Sequence, residues 1–303
     1  MSLKPESQVE VDVVVVSYRS AATLRGCVEP LASMPGVSVT VVDNDSPDDS
    51  VATISELDGI DIVRAARNGG FAFGCNLGVA RGSAPFLLFL NPDARIDEAS
   101  LQTLVRTLRD DPRTGLVGPR ILDDDGSLAY SVRRFPRLRS TFAKALFLHR
   151  LWPLAAWTDE LVRDPAVYDR PGTPDWVSGA CMLVRRDAYT AVGGFDERLF
   201  LYCEDTDLCR NLWDAGYTVR YEPAALVRHV GGASSGVGET QAIAARSRVL
   251  YARKHRGRLA ALLEALGIAL DEAMHALANV GRRSSRRGHL KALRAVLRPG
   301  RGT

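Results

Sequence analysis

A chain of 303 residues, 46% hydrophobic and 25% charged, can bury a full core, which excludes intrinsic disorder. No apolar run reaches the roughly 18 residues that span a bilayer, and the polar start carries Glu6 and Glu10; neither a transmembrane helix nor a signal peptide is expected, and a cytoplasmic location is. The net charge of +3 is uneven, since residues 281–303 hold eight Lys/Arg and no acid while the 31 basic and 36 acidic residues before them leave −5.

The first half alternates short apolar runs with helical patterns, the signature of a parallel sheet flanked by helices. Strands are predicted over 11–17, 38–43, 60–64 and 85–91. VDVVVV and FLLFL are near-continuous apolar runs, as expected of strands covered on both faces. Helices are predicted over 21–33, 50–57, 75–80 and 100–110, with Ser100 as a cap for the last. Cys27 and Cys75 fall in this half, and Cys181, Cys203 and Cys209 later; with no Cys-x-x-Cys they encode neither a disulfide framework nor a zinc site.

The strand ends carry the first candidate chemistry. In VVDNDSPDDS, Asp43 is placed to accept from a base or ribose, or else belongs to an ordinary capped turn. RNGGFAFGCNLG joins Arg67, Asn68 and Asn76 to four glycines, Gly74 among them, at a helix start, which suits close approach to an anion. Asn91-Pro92-Asp93 ends the FLLFL strand, so Asp93 is a candidate oxygen ligand for Mg²⁺ or Mn²⁺ bridging a diphosphate; a turn aspartate is the plain alternative.

The second half is less regular. It reads as an amphipathic stretch over 140–162, strands around 175–184 and 217–221, and a helix opening near Cys203. Residues 142–157 (FAKALFLHRLWPLAAW) fit either a membrane-interface element or a buried amphipathic helix. WVSGACMLV sets Trp176 ahead of Gly179, suited to stacking on a sugar or to the core. In YCEDTD, Glu204 and Asp205 open a helix, where acids are favoured by the dipole whether or not they act chemically. His229 follows a strand and could complete a metal site with Asp93. Helices are then expected over 241–255 and 259–278. The basic tail fits attachment to an anionic membrane surface or a solvated, frayed end; without interleaved aromatics it does not suit nucleic acid.

In order and spacing, these segments from about Val11 to Gly232 resemble family 2 glycosyltransferases of the GT-A fold. VSGACMLVRRDAYTAVGGFDERLFLYCEDTDLCRNLWDAG is most similar to bacterial rhamnosyltransferases, including those that act on polyprenyl-diphosphate-linked GlcNAc. The resemblance implies an α/β fold in which a Rossmann-like nucleotide-binding sheet (about 1–95) is fused to an acceptor half (about 96–238), followed by a helical extension (239–303) with the basic tail. It implies a nucleotide site of Ser17, Asp43, Arg67, Asn68, Gly74 and Asn76, and metal ligands Asp93 and His229, one acid short of the family's Asp-x-Asp. Asp205 would be the catalytic base, with Trp176, Gly179 and Glu204 near donor sugar and acceptor. The implied reaction is metal-dependent inverting transfer from dTDP-L-rhamnose to a saccharide or polyprenyl-diphosphate-linked acceptor. A UDP-hexose donor and a non-catalytic nucleotide-sugar-binding module are the alternatives.

Overall fold

Strand β1 (Val11–Ser17) is buried at all seven residues, and its side chains divide by parity. Val11, Val13 and Val15 join a core with Leu24, Val28 and Leu104, while Val14 and Val16 join another with Cys75, Phe89 and Leu208. That two-sided burial requires layers on both faces of the sheet, as the unbroken valine run implies. The computed structural model describes residues 10–230, 237–278 and 283–297.

The chain runs β1, α1 (Leu24–Ala32), β2 (Val37–Asp43), β3 (Ile60–Arg64), α2 (Phe71–Val79), β4 (Phe86–Leu90), β5 (Ala94–Ile96), α3 (Glu98–Asp110) and β6 (Thr114–Asp123). Then come β7 (Leu128–Ala129), β8 (Val132–Arg133), α4 (Leu138–Ala145), α5 (Leu148–Leu151), β9 (Trp176–Val177), β10 (Cys181–Arg185), α6 (Arg186–Ala191), α7 (Glu204–Asp214), β11 (Thr218–His229), α8 (Val237–Ala278) and α9 (Arg283–Leu297). The main sheet has the order β3-β2-β1-β4-β10-β6-β11-β5, with β7 on β6; β8 and β9 form a separate pair. Strands β3, β2, β1 and β4 are parallel, β10 runs against both its neighbours, and β5 runs against β11. Parallel neighbours put their C-terminal ends on one edge, where the ligand crevice of an open α/β sheet forms.

Several expected elements shift for local reasons. The helix expected over 50–57 is a single 3-10 turn, Val51–Ile54. Helix α2 begins at Phe71, not Cys75, directly after Gly70. Asp97, rather than Ser100, caps α3, its carboxylate accepting from the Ser100 N–H at 2.8 Å. Of the stretch 140–162 only α4 and α5 are helical, parted by Phe147 at φ 57°. Strand β11 extends past Tyr221 to His229 through an irregularity between Glu222 and Leu226, where Pro223 has no N–H to give.

The expected break between the last two helical stretches is a kink in α8 at Gly257 (φ 84°). Of the basic tail, 283–297 is helix α9 rather than a frayed end, and His289 Nδ1 lies 2.6 Å from the Glu272 carboxylate of α8; residues 281–282 and 298–303 lie outside the described residues. Helix α8 is fastened to α7 by Asp207, which meets Lys254 at 2.8 Å and His255 at 2.6 Å.

Candidate functional site

At the C-terminal edge, Ser17 and Asp43 are side by side in register. The Ser17 hydroxyl is buried with no hydrogen-bond partner in the protein, and Asp43 uses one carboxylate oxygen on the Ser46 N–H at 3.1 Å. The turns that follow hold Arg19 (φ 55°) and Asp45 (φ 60°) in the left-handed region, a local cost of roughly 1–3 kcal/mol each that collects at functional edges. Arg67 is exposed, its guanidinium 5.2 Å from the centre of the Phe73 ring.

The glycine-rich loop is held from within. Asn44, a residue not singled out from the sequence, is buried; its amide donates to Asn68 Oδ1 and to the Gly70 carbonyl at 3.0 Å each, and its oxygen accepts from the Gly69 N–H at 3.1 Å. Asn68 Oδ1 also accepts from the Gly70 N–H, and the Phe71 N–H donates to the Phe200 carbonyl at 2.8 Å. The N–H groups of residues 69–71 are therefore spent inside the protein and are not open to an anion. Gly70 (φ 88°) is required there, because a Cβ would fall 2.1 Å from the Phe200 carbonyl oxygen.

Two residues expected at the nucleotide face the interior. The Asn76 amide oxygen accepts from the Tyr189 hydroxyl at 2.5 Å and the Phe195 N–H at 3.2 Å, while its nitrogen donates to the Phe195 carbonyl and Glu197. Gly74 lets α2 lie against Val16, which a Cβ would meet at 2.7 Å. Both positions dock α2, and a polar side chain in a glycine-rich segment gives no sign of which side it faces.

Asp93 and His229 are brought together by the β5–β11 pairing, His229 opposite Ala94, with His229 Nε2 3.1 Å from Asp93 Oδ1. Asn91 Nδ2 lies 3.4 Å from the same imidazole nitrogen. The Asp93 carboxylate holds the His229 pKa above its ordinary value, against the effect of burial. A carboxylate oxygen, an imidazole nitrogen and an amide side chain, with Asp93 and His229 only partly buried, form a donor set of the kind that could hold a divalent cation.

Asn91 also lines a cleft of about 470 Å³ shared with Trp176, Gly179, Glu204, Asp205 and Arg248. The acids enter it from the first turn of α7, behind Tyr202 (φ 68°) and Cys203 (φ 65°), two consecutive left-handed residues that turn the chain sharply into the helix. Asp205 Oδ2 accepts from the Gly179 N–H at 3.0 Å, and Oδ1 from the Thr206 N–H at 2.7 Å and hydroxyl at 3.2 Å. A Cβ on Gly179 would press to 3.3 Å from Asp205, so glycine permits this approach. Burial raises the Asp205 pKa, against these hydrogen bonds and Arg133; the result is a stronger base than an exposed carboxylate. Trp176 is buried beneath the Arg133 guanidinium, 5.2 Å from its ring centre, and its indole N–H donates to the Arg134 carbonyl. The ring is packed rather than open for stacking.

Glu204 is buried, its Oε2 without a partner, and burial followed by repulsion from Asp205 pushes its pKa far up. Such a group keeps its proton in the folded protein at pH values where the unfolded chain has lost it. The unfolded state then binds fewer protons, so stability falls as pH rises above the ordinary glutamate range. Glu204→Gln should remove that slope, and its melting temperature relative to wild type should be higher at about pH 8 than at about pH 5; a difference independent of pH would show Glu204 ionised in the fold.

The outer wall of the cleft is a buried ionic cluster. Arg248 of α8 grips both oxygens of Glu160, bonds Glu264 at 2.8 Å and approaches Thr141 at 3.2 Å, while Arg256 reaches Glu264 at 2.8 Å. Burial alone would raise the Glu264 pKa; Arg248 and the other bonds bring it below the usual value.

Comparison with known proteins agrees with this architecture. Residues 12–190 match the family described as glycosyl transferase family 2. The chain is 33% identical over 297 residues to the N-acetylglucosaminyl-diphospho-decaprenol L-rhamnosyltransferase of Mycobacterium tuberculosis, covering 92% of this chain and 96% of that one. It is 32% identical over 143 residues to rhamnosyltransferase WbbL of Escherichia coli, covering 46% and 50%. Among solved structures, the mannosyltransferase PcManGT of Pyrobaculum calidifontis in complex with GDP-Man and Mn²⁺ superposes with TM-score 0.57 at 16% identity, covering 96% and 86%. TarS of S. aureus gives 0.53 at 11%, covering 95% and 90%. The expected GT-A fold, a mixed α/β sheet with a helical C-terminal region, is the fold of this chain, and the chain belongs to glycosyl transferase family 2.

Proposed function

We propose that this glycosyltransferase moves L-rhamnose from dTDP-L-rhamnose, with inversion, to a hydroxyl of a polyprenyl-diphosphate-linked saccharide. The observation that carries the reading is Asn91: it lines the cleft with Asp205 and lies 3.4 Å from His229, joining a base with a raised pKa to a candidate cation pair. The rhamnosyl group and the lipid-diphosphate acceptor are supported by the likeness to the mycobacterial enzyme, whose name specifies both; dTDP as the carrier is part of the proposal.

Asp205 takes the proton of the acceptor hydroxyl as that oxygen attacks the anomeric carbon; the bond from that carbon to the diphosphate oxygen breaks, and dTDP leaves with the bonding pair. The Gly179 and Thr206 N–H groups hold the carboxylate in place. Ser17, Asp43, Arg67 and Asn68 border the nucleoside position. Asp93 and His229, with Asn91 beside them, would hold Mg²⁺ or Mn²⁺, which when bound offsets negative charge on the leaving diphosphate. Glu204, protonated, can donate to a sugar oxygen. Work on a lipid-linked acceptor would place the protein at the inner face of the plasma membrane, a setting in which the expected contact of the basic tail with the bilayer also fits; no helix among the described residues is long and apolar enough to cross it.

Calorimetric titration tests the cation pair. Mg²⁺ or Mn²⁺ should tighten dTDP binding by about tenfold or more in the wild type, and Asp93→Asn should abolish that gain. Equal dTDP affinity with and without metal would remove the cation from the reading, and tighter binding of UDP than dTDP would reassign the donor.

A further inference from the structure

Two sets of large apolar side chains are left in solvent on neighbouring elements. After α4, Leu151 (69% exposed), Trp152 and Leu154 (67%) project, and Trp152 and Trp157 pair at 6.0 Å. On α8 beyond the kink, Leu259 (71%), Leu262, Leu266, Leu270 and Leu277 are exposed. At 100° per residue these five fall within an arc of about 80°, a single stripe. Next round the helix is Gly267, where a Cβ would fall 2.8 Å from Thr141 of α4, and Phe147 packs 4.8 Å from His275. The two sets therefore flank one helix contact. Soluble monomers rarely leave an apolar surface of this kind uncovered.

The exposed charge around it is mostly basic, with Asp159 paired to Lys144 and Asp271 beside His275 as the acids at its edge. Residues 126–158 contain Arg133, Arg134, Arg137, Arg139, Lys144 and Arg150 and no acid, and residues 273–303 contain eight Lys/Arg and no acid. Arg139, Lys144, Arg150, Lys291 and Arg294 are exposed. Helix α9, which carries the last two, lies against α8. A symmetric contact between two copies would set these cations against each other, whereas an anionic lipid surface complements them. Tryptophan and leucine rimmed by lysine and arginine is also the composition that settles at the boundary between headgroups and acyl chains.

We propose that this face, the segment after α4 together with the leucine stripe of α8, seats the protein on an anionic bilayer. Lys144 and Arg248, on α4 and α8, line the catalytic cleft, so a chain seated this way opens its cleft beside the headgroups. This docking face goes beyond the membrane setting of the reading above and is tested without any sugar, so either can fail alone.

The test is flotation of the full-length protein with vesicles of phosphatidylcholine, alone or mixed with phosphatidylglycerol. Binding should require phosphatidylglycerol, weaken with salt, and fall about tenfold or more in Leu259→Ser/Leu262→Ser/Leu266→Ser and again in Trp152→Ser/Leu154→Ser. These side chains are exposed, so melting temperatures should hold. Undiminished binding by both variants would overturn the proposal, as would no binding by the wild type. A stable dimer in light scattering that the leucine variant dissociates would overturn it too, assigning the face to a second copy.

Discussion

Asp205→Asn is expected to bind dTDP as the wild type does while losing about 10² to 10⁴ in transfer rate, the usual contribution of a general base. The substitution preserves size, so the cleft shared with Trp176, Gly179 and Arg248 keeps its shape. It removes the charge that burial has made basic, and the amide cannot take the acceptor proton. One bond must also change, since the Gly179 and Thr206 N–H groups each donate to a different oxygen of Asp205 and the new NH₂ group has to face one of them. That costs on the order of 1–3 kcal/mol of stability, offset by relief from holding a charge in a buried site. Single-turnover transfer measured beside dTDP affinity separates the effects. A variant with wild-type turnover would move the base elsewhere, and one that loses dTDP affinity as well would mark Asp205 as a donor-binding residue.

Arg248→Met should be the most damaging change to stability, about 3–5 kcal/mol, the range for removing one partner of a buried ion pair. Glu160 and Glu264 are both buried, and without the guanidinium each keeps hydroxyl partners while losing its chief counter-charge, Glu264 retaining Arg256. The cluster joins α4, the segment before Leu161 and α8 around the cleft, so the loss should appear in activity as well as in chemical denaturation. Arg248→Met/Glu160→Gln should recover part of the stability, because it removes one of the orphaned charges. A single variant within about 1 kcal/mol of wild type would mean that the cluster is solvated.

Local patterning made the parallel part of the sheet legible. The valine run of β1 and the boundaries of β3 are as expected, because a strand buried on both faces needs an unbroken apolar run between turn residues. The break at Gly257 is legible because glycine alone accepts φ 84° without strain. What remained hidden depends on partners distant in sequence. Nothing local in Asn76 shows that Tyr189 and Phe195 saturate its amide, nor in Phe71 that the Phe200 carbonyl takes its N–H. Asn44 follows Asp43 in a polar turn, and its role as a clamp appears only when β2 meets the glycine-rich loop. Arg248 and Glu160 are 88 residues apart, in segments whose charge pattern reads as ordinary helix surface and loop. The Asp93–His229 pair was accessible because each follows a strand, the residue types suit a cation and the family resemblance implies both as ligands, although only the β5–β11 register sets them 3.1 Å apart.

Transfer itself decides the matter: purified protein, Mg²⁺ or Mn²⁺, dTDP-L-rhamnose and a GlcNAc-diphosphate-polyprenol acceptor, with the product's anomeric configuration read by NMR. A rhamnosylated lipid of inverted configuration should form, with one dTDP released per linkage, and should be absent in Asp205→Asn. A retained configuration, or transfer only from a UDP-hexose, would contradict the proposed reaction.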